Sequence, residues 1–355
     1  MRLRSKISFT REKNTMLYFK NDYSEGACRE VIDALVKTNE EHLLGYGADF
    51  YTQRAKEKIR RAIGKDDVEI YFITGGTQTN KLLIDSYLDS AEGVISVDTG
   101  HIAVHEGGAI ESTGHKVLTL PHNNGKLLAE ALDAYMSRFI GDAARSFMVQ
   151  PGMVYISHPT EYGTLYSKQE LTKLSKIAHK YGLPLFLDGA RLGYALACSE
   201  CDLTLKDIAE LCDAFYIGGT KVGALCGEAL VYTSSAPKYM QTKIKQHGAL
   251  LAKGRLNGVQ FDTLFTDDLY VKIAKNAIET ASALRCALAE KGYKFLIDSP
   301  TNQLFPIFSN EKLKELEKKV VFEWWEPYDE EHSVIRFATS FATKQSDVDE
   351  LIELL

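Results

Sequence analysis

The sequence predicts an α/β protein in which a large domain, a mostly parallel seven-stranded sheet flanked by helices, precedes a smaller α+β domain. Seven short runs rich in Val, Ile, Leu, Phe and Tyr recur between residues 69 and 232, and segments of helical period lie between many of them. Strands that alternate with helices need crossover connections, which give parallel sheets covered on both faces. From about Tyr239 this alternation stops, which indicates the second domain.

The predicted strands of the large domain are short, as buried strands usually are. In chain order they cover residues 69–73, 94–97, 116–120, 153–157, 185–187, 214–217 and 229–232. The clearest helices between them are predicted over residues 78–88, 127–139 and 168–181. We expect an N-terminal segment and helix over residues 1–40, the large domain over 41–250 and the small domain over 251–355.

The C-terminal part begins with a predicted helical stretch, residues 239–291, that has one interruption at 253–258. Shorter strands and helices are predicted after it, over residues 303–308, 311–319, 334–340 and 347–355. The segment FEWWEPYDEEH, residues 322–332, holds both tryptophans. It predicts a strand and loop of the small domain rather than a binding surface, because aromatic stripes usually pack.

Composition narrows the class of protein. The chain has 355 residues, of which 45% are hydrophobic, so it can bury a large core. The net charge is −6, and acidic and basic residues are mixed along the chain. This distribution argues against a nucleic-acid-binding surface and favours a local site for a small molecule.

Membrane and export signals are also weak. No stretch approaches the ~20 apolar residues of a membrane span, and residues 1–14 are basic and polar without an apolar core. The six cysteines are scattered, and Cys198 and Cys201 form a single CxxC pair, which is more often a pair of reduced thiols than a zinc site. We expect a cytoplasmic protein without a membrane partner.

Chemistry is expected where the strands of the large domain end, since ligands of open α/β sheets bind outside the carboxyl ends of the strands. The first such end is Gly75-Gly76-Thr77, between a strand and a helix. Free amides at a helix N-terminus, glycines and a hydroxyl make a phosphate cradle. The turn is not a Walker loop, because no Gly-Lys-Ser/Thr follows. Alternatively, it is an ordinary strand–helix turn capped by threonine.

Asp188 ends the apolar run LPLFLD, and Arg191 follows closely. A carboxylate at the end of a buried strand is costly unless it meets a cation or a donor. One interpretation is an internal ion pair between Asp188 and Arg191. The functional interpretation is that Asp188 faces a protonated ring nitrogen of a bound cofactor.

Lys221 follows Gly218-Gly219-Thr220 on a turn between two apparently buried strands. Lysine forms Schiff bases, because burial or nearby cations readily lower its pKa. A phosphate cradle, a strand-end carboxylate and a lysine on a turn suit pyridoxal 5'-phosphate, which needs an anchored phosphate, a protonated pyridine nitrogen and an amine for its aldehyde. The alternative is a nucleotide-binding α/β module in which Lys221 is structural.

Several motifs occur in an order typical of one family. They are NDYSEGACREVIDAL, GYGADFYTQRAKEKI, GGTQTN, HIAVHEGGAIESTGHKV, SHPTEYGTLY, LDGARLGYA, GGTKVGALCGEALVY, LLAKGRLNG and SVIRFATSF. Through them the chain resembles, over nearly its whole length, the threonine aldolase/β-eliminating lyase family of fold-type-I pyridoxal-phosphate enzymes. This resemblance implies the aspartate aminotransferase fold and identifies Lys221 as the cofactor-binding lysine.

The resemblance also implies the other cofactor contacts. The family's positions correspond here to Gly75, Gly76, Thr77, His101, Asp188, Arg191, Thr220 and Lys221. The glycine–threonine turn would hold the phosphate with Thr220 as a further contact, and His101 would stack on the ring, where it is a candidate to assist proton transfer. Asp188 would pair with the pyridinium nitrogen, and Arg191 would lie near the phenolic oxygen.

Substrate contacts are implied in the same way. Arg336 would receive the α-carboxylate in a bidentate pair, with Arg191 beside it. Asn21 occupies a substrate-binding position that is often serine. Tyr46 and Arg255 match cofactor-site positions that reach into a neighbouring subunit. The resemblance therefore implies a homodimer or homotetramer with shared active sites.

One motif departs from the family. Many threonine aldolases read Glu-Asn-Thr-His-Asn-Gly where this chain reads His-Pro-Thr-Glu-Tyr-Gly, residues 158–163. Glu161 thus stands where a histidine is thought to assist removal of the proton from the substrate hydroxyl. A glutamate with a raised pKa can act as that base. Alternatively, Glu161 marks a different side-chain specificity.

The implied reaction is retro-aldol cleavage of a β-hydroxy-α-amino acid, such as threonine or allo-threonine, to glycine and an aldehyde. Lys221, His101 and Glu161 would be catalytic. A β-eliminating lyase acting on another β-substituted amino acid is the alternative on the same scaffold. His101 and His105 stand four residues apart, but the missing HExxH pattern argues against a metal site, and no metal is expected.

Overall fold

The computed structural model describes residues 16–355. Its strands are β1 (Leu17–Tyr18), β2 (Glu69–Ile73), β3 (Glu92–Val97), β4 (Lys116–Leu120), β5 (Gln150–Ser157), β6 (Leu185–Asp188), β7 (Ala214–Gly218), β8 (Glu228–Tyr232), β9 (Gln303–Leu304), β10 (Ile307–Ser309), β11 (Val320–Val321), β12 (Glu323–Pro327) and β13 (His332–Ala338). Its helices are α1 (Arg29–Thr38), α2 (Phe50–Ile63), α3 (Gly76–Tyr87), α4 (His101–Val104), α5 (Ala129–Gly141), α6 (Lys168–Lys180), α7 (Leu192–Ala197), α8 (Leu205–Leu211), α9 (Met240–Gln246), α10 (Arg255–Leu264), α11 (Leu269–Glu290), α12 (Asn310–Leu316) and α13 (Gln345–Leu354).

The large sheet has seven strands in the order β2-β8-β7-β6-β5-β3-β4. The four pairs from β7 to β4 are parallel, whereas β8 is antiparallel to both of its neighbours. Each of the seven predicted apolar runs coincides with one of these strands. The prediction of a mostly parallel sheet flanked by helices is therefore confirmed, and the small sheet, in which β13 pairs with β9, β10 and β12, lies C-terminal to it.

The prediction of one interruption at residues 253–258 is wrong. The chain leaves helical conformation at 247–254 and again at 265–268, and residues 255–258 already belong to α10. Gly258 lies inside this helix at a point where α2 packs closely against it. A Cβ at this position would collide with the side chain and backbone of Thr52. The second break contains Asp267 and Asp268, which both adopt positive φ. The glycine therefore reports close helix packing rather than a helix end.

The two cores share one helix. Tyr270 and Ala274 of α11 pack in the core of the large sheet, whereas Leu284 and Leu288 of the same helix pack in the core of the small one. Phe19, just after β1, also belongs to the small core, because β1 pairs in parallel with β11. The domain limits at residues 40 and 250 stay predictions, since helix α11 connects both cores.

The fold collects several strand ends at one edge. Strands β2, β3, β5, β6 and β7 run in the same direction, so their carboxyl ends meet there. Strand β8 runs the opposite way and begins at this edge. Among residues 16–355, no helix is both long enough and apolar enough to traverse a bilayer.

Candidate active site

A cavity of about 190 Å³ opens at this edge of the sheet. It is lined by the residues that the sequence singled out for the cofactor, namely Gly75, Gly76, Thr77, His101, Asp188, Arg191, Thr220 and Lys221, and by Glu161. Thr74, Ser157, Pro159, Ala190, Tyr216 and Glu228 complete the lining. Residues far apart in the chain therefore surround one small space.

The phosphate cradle is predicted at the start of α3. Gly75 precedes the helix in extended conformation, and no side chain caps the helix there. The N–H groups of residues 76–78 have no hydrogen-bond acceptor in the part of the chain that the structure describes. A Cβ on Gly76 would come within 3.2 Å of the Tyr216 hydroxyl. This end does not match a threonine-capped turn and can accept an anion at its unpaired N–H groups.

Asp188 is buried at the end of β6 and accepts hydrogen bonds from neutral donors. Tyr155 and Asn80 donate to its Oδ2 at 2.7 and 2.9 Å, and Tyr216 donates to Oδ1 at 2.5 Å. Burial alone would raise the pKa of Asp188, but attraction to His101 and these donors lower it. The carboxylate is thus held ionised without a salt bridge in the described chain, as a partner for a protonated ring nitrogen must be.

The alternative of an Asp188–Arg191 ion pair is wrong. Arg191 forms a bidentate pair with Asp22 instead, with Nε–Oδ2 and Nη2–Oδ1 distances of 2.7 and 3.0 Å. Asn302 donates to the same carboxylate at 2.9 Å. Burial would raise the pKa of Asp22, but Arg191 outweighs it and lowers this pKa to about 2. Sequence reasoning missed Asp22, because nothing in the polar segment around it signals burial.

His101 begins α4 and is fixed by a buried carboxylate. Its Nδ1 lies 2.7 Å from Glu106 Oε1, which also accepts from Asn80 at 2.7 Å. Because Asn80 donates to Asp188 as well, one hydrogen-bonded chain runs from the His101 ring to the strand-end carboxylate. Glu106 and Asn80 were not predicted as site residues, although Glu106 lies in the motif HIAVHEGGAIESTGHKV and Asn80 in the motif GGTQTN.

Glu161 lines this cavity and the neighbouring one. Its Oε1 accepts from Ser157 Oγ at 2.6 Å and from the His101 amide at 2.9 Å, while its buried Oε2 has no partner in the described chain. Burial raises the pKa of Glu161 above its ordinary value. A carboxyl group with one fixed and one uncommitted oxygen is suited to take up a proton.

Lys221 follows β7, and its amine lies in the cavity wall. Its Nζ makes no hydrogen bond or salt bridge to residues 16–355 and lies 5.8 Å from the ring centroid of Tyr23. Burial, followed by repulsion from Arg191, lowers the pKa of Lys221. A neutral, uncommitted amine is the nucleophilic form of lysine.

A second cavity, of about 480 Å³, adjoins the first and shares His101, Glu161, Arg191 and Lys221 with it. Arg336 lies in its wall and donates to Gln303 Oε1 and the Lys20 carbonyl, both at 3.2 Å. Its buried Nε has no partner in the described chain. This guanidinium therefore retains a donor for an anionic group.

The two tryptophans also line the second cavity. The segment forms strand β12, as predicted, and whether it also serves as a binding surface stays open. Trp325 packs edge-on against Tyr162 with ring centroids 5.5 Å apart, and the Arg336 guanidinium lies 5.4 Å from its ring centroid. Trp324, which is 50% exposed, continues the aromatic wall.

Three predicted site residues line neither cavity of this chain. The Asn21 side chain accepts from the Tyr23 amide at 3.0 Å, and the neighbouring Asp22 points to the site instead. Arg255 donates to the carbonyl of Thr38, at the end of α1, and to the carbonyl of Glu41. Tyr46 lies near Arg255 and is half-exposed. Their roles in substrate binding and in a neighbouring subunit's site stay predictions.

The arrangement suits one kind of ligand. Unpaired amides at a helix N-terminus suit a phosphate, an ionised buried carboxylate suits a protonated ring nitrogen, and a lysine amine with a lowered pKa suits an aldehyde. No cluster of three or more metal-ligating side chains occurs among the residues that the structure describes.

Comparisons with known proteins agree with this geometry. Residues 19–302 match the family model described as β-eliminating lyase. Low-specificity L-threonine aldolase of a Pseudomonas species is 31% identical over 310 residues, 85% of this chain and 87% of that protein. The corresponding protein of Pseudomonas aeruginosa is 30% identical, over 81% of this chain and 83% of its own length.

Solved structures give the same result. Threonine aldolase of Leishmania major is 40% identical and superimposes with a TM-score of 0.92, over 95% of this chain and 98% of that one. Aspartate aminotransferase of Thermus thermophilus, 16% identical, superimposes with a TM-score of 0.68 over 96% of this chain and 90% of its own, which shows the shared fold. The chain therefore belongs to the β-eliminating lyase family and has the aspartate aminotransferase fold of fold-type-I enzymes.

Proposed function

We propose that the protein is a pyridoxal-phosphate-dependent aldehyde-lyase that cleaves a threonine-like β-hydroxy-α-amino acid to glycine and an aldehyde. The observation that carries the proposal is the uncommitted amine of Lys221, which lines one cavity with the free amides of α3, Asp188 and Glu161. The similar Pseudomonas and Leishmania proteins, which are named as threonine aldolases, support the aldolase reaction.

The residues divide the work of holding the cofactor. The turn over Gly75–Thr77 would bind the phosphate, Asp188 would keep the ring nitrogen protonated, and Lys221 would hold the aldehyde. When bound, pyridoxal phosphate accepts the electron pair that is released as the Cα–Cβ bond of the substrate breaks. His101, fixed through Nδ1 by Glu106, would limit movement of the ring.

Residues that line one or both cavities would orient the substrate and transfer protons. Arg336, with its free Nε, would bind the α-carboxylate, and Arg191 is fixed beside it by Asp22. Glu161, in its ionised form, would take the proton of the β-hydroxyl on Oε2, so that this oxygen leaves as an aldehyde. Cα would gain one proton, for which the ammonium form of Lys221 is the candidate donor, and would become the methylene of glycine.

The test is product analysis with L-threonine, L-allo-threonine and β-phenylserine, each incubated separately with the holoenzyme. Glycine with the matching aldehyde is expected. Keto acid and ammonia alone would contradict aldol cleavage and favour the β-eliminating reaction that the family's description names. Lys221→Ala should lose both the lysine-bound chromophore and product formation, and full activity in this variant would contradict the assignment.

A further inference from the structure

Glu228 is a buried acid that the proposed mechanism does not use. It is the first residue of β8 and is only 3% exposed, yet it lines the small cavity. In the sheet it lies between Ile73 of β2 and Gly218 of β7. It therefore lies between the strand that leads into the phosphate cradle and the strand that leads to Lys221.

The hydrogen bonds of Glu228 fix the turn that carries Lys221. Gly219 N–H donates to Oε2 at 2.9 Å, and the Thr220 hydroxyl donates to Oε1 at 2.8 Å. Thr220 Oγ1 in turn accepts from the Gly227 amide at 3.1 Å. While Glu228 is ionised, the single proton of the Thr220 hydroxyl is thus directed to the carboxylate and away from any other acceptor.

This arrangement conflicts with a phosphate in the same cavity. An ionised Glu228 would repel the phosphate in a site of low dielectric constant, and Thr220 would have no proton to offer it. A hydroxyl has one donor and two acceptor positions. If Glu228 is protonated, its own O–H can occupy one acceptor position of Thr220 Oγ1 while the Gly227 amide occupies the other. The Thr220 proton is then free.

We propose that Glu228 is a positioning residue that carries a proton while the cofactor's phosphate is bound, donating it to Thr220 Oγ1 so that the Thr220 hydroxyl donates to the phosphate. This inference rests on the proposed function, because it requires a phosphate at the start of α3. It assigns Glu228 no covalent step.

The surroundings of Glu228 support the neutral form. Burial raises its pKa to about 8 and outweighs the hydrogen bond from Thr220, the charge of Lys221 and the hydrogen bond from Gly219, all of which lower it, while Asp188 adds to the rise. The other titratable groups that face it are Tyr216 and Tyr270, whose phenols have raised pKa values and stay neutral, and the Cys226 thiol. Gly219 N–H can donate to Oε2 in either state.

The test measures equilibrium binding of pyridoxine 5'-phosphate, which has no aldehyde and cannot react with Lys221. Affinity is compared between the wild type and Glu228→Gln from about pH 6.5 to about pH 9.5, because glutamine mimics the protonated acid at every pH. We expect the two proteins to bind alike at the low end. Above the pKa of Glu228, the wild type should lose affinity relative to the variant by up to about tenfold per pH unit.

Two controls isolate the route through Thr220. Pyridoxine, which lacks the phosphate, reports any effect of Glu228 that acts through the charge of Lys221 alone, and its affinity ratio between the two proteins should change with pH much less than that of the phosphate ester. In a Thr220→Val background, the pH-dependent effect of Glu228→Gln on the affinity for pyridoxine 5'-phosphate should shrink. In a Thr220→Ser background, which keeps the hydroxyl, this effect should persist. Circular dichroism and thermal melting of each variant establish that it is folded.

The outcomes separate this inference from the proposed function. If wild type and Glu228→Gln lose affinity in parallel, the inference is overturned while the cofactor assignment stands. If the difference between them is equal for pyridoxine and its phosphate, the role of Glu228 toward phosphate is overturned. If the wild type binds no pyridoxine 5'-phosphate and shows no lysine-bound chromophore with pyridoxal phosphate, the cofactor assignment itself fails, and the inference with it.

Discussion

Single side chains decide the electrostatics of the site through the partners that they have or lack. Asp188 has only neutral donors and keeps its negative charge available, whereas Asp22 is neutralised by Arg191. Lys221 lacks a hydrogen-bond or salt-bridge partner in the described chain, and burial lowers its pKa. Both buried aspartates are thus held ionised by their immediate contacts, but only Asp188 has no cationic partner among the described residues.

Removing the charge of Asp22 should destabilise the fold. In Asp22→Asn, Arg191 would remain buried without its carboxylate, which costs about 3–5 kcal/mol. We expect the free energy of unfolding in urea to fall by this order. Asp33→Asn, which removes an exposed carboxylate paired with Arg29, is the control and should change the free energy of unfolding far less, because solvent screens this pair. Equal losses in both variants would contradict the buried ion pair.

The same pair predicts a pH dependence of stability. The pKa of Asp22 is lowered from 3.8 to about 2, so its stabilising contribution is fully present above the unfolded value of 3.8. It should be lost as the pH falls through the folded value near 2. Unfolding of the wild type and Asp22→Asn, compared over this range, should converge at the acid end, and a constant difference would contradict the assignment.

Glu161 predicts a pH dependence of catalysis. A base acts in its ionised form, and burial raises the pKa of Glu161, so kcat/KM should rise with pH through a value above 4.5. Glu161→Gln should lose this rise and about 100-fold or more of kcat while it keeps the lysine-bound chromophore. Glu161→His, which introduces the residue common in threonine aldolases, is the variant to compare with Glu161→Gln. Full activity in Glu161→Gln would show that another group takes the proton.

At the scale of elements, the turns after strands carry the chemistry and the small sheet supplies the wall opposite them. The turns after β2, β6 and β7 carry the phosphate cradle, Asp188 and Lys221. Strands β12 and β13 pair so that Glu323 lies opposite Arg336, and the tryptophans of β12 form the aromatic side of the larger cavity. The larger cavity is therefore lined by side chains from both sheets.

The aromatic wall of β12 predicts a preference among β-substituents. Trp324 is half-exposed, so Trp324→Ala should have little effect on folding but should remove apolar contact area from the cavity. We expect kcat/KM for β-phenylserine to fall by about tenfold relative to that for threonine, because an aromatic pair contributes about 0.5–1.5 kcal/mol beyond burial. Trp324→Phe should retain most of the preference. An equal change for both substrates would exclude a role in side-chain selection.

At the scale of the whole molecule, the segment that carries Tyr46 is fixed on the outside of the site. The Tyr46 amide donates to the Ala252 carbonyl at 3.0 Å, and Arg255 donates to the Glu41 carbonyl at 2.6 Å. Apolar side chains of this surface are exposed, among them Leu44 and Phe50, which are 70% and 60% exposed. These features are consistent with the homodimer or homotetramer that the resemblance implies, in which such a surface would be covered.

Shared active sites can be tested by complementation. If Lys221 and Arg255 of one site come from different subunits, mixing Lys221→Ala with Arg255→Ala should create dimers with one intact site. Random exchange of subunits would then recover about a quarter of the wild-type activity. Native mass spectrometry verifies exchange, and mixing Lys221→Ala with Asp188→Asn, two residues of the same cavity, is the control. No recovery after verified exchange would contradict the shared site.

The sequence by itself determined the sheet, the order of its strands along the chain, and the residues at the strand ends. It could do so because apolar runs, glycines and helix periodicity are local signals, and because the motifs occur in a family order. Only the tertiary structure decided that Arg191 pairs with Asp22, that Asn80 joins His101 to Asp188, and that Glu228 lies between the phosphate cradle and Lys221. Partners separated by up to 169 residues leave no local pattern, since burial and hydrogen bonding depend on which strands become neighbours in the folded sheet.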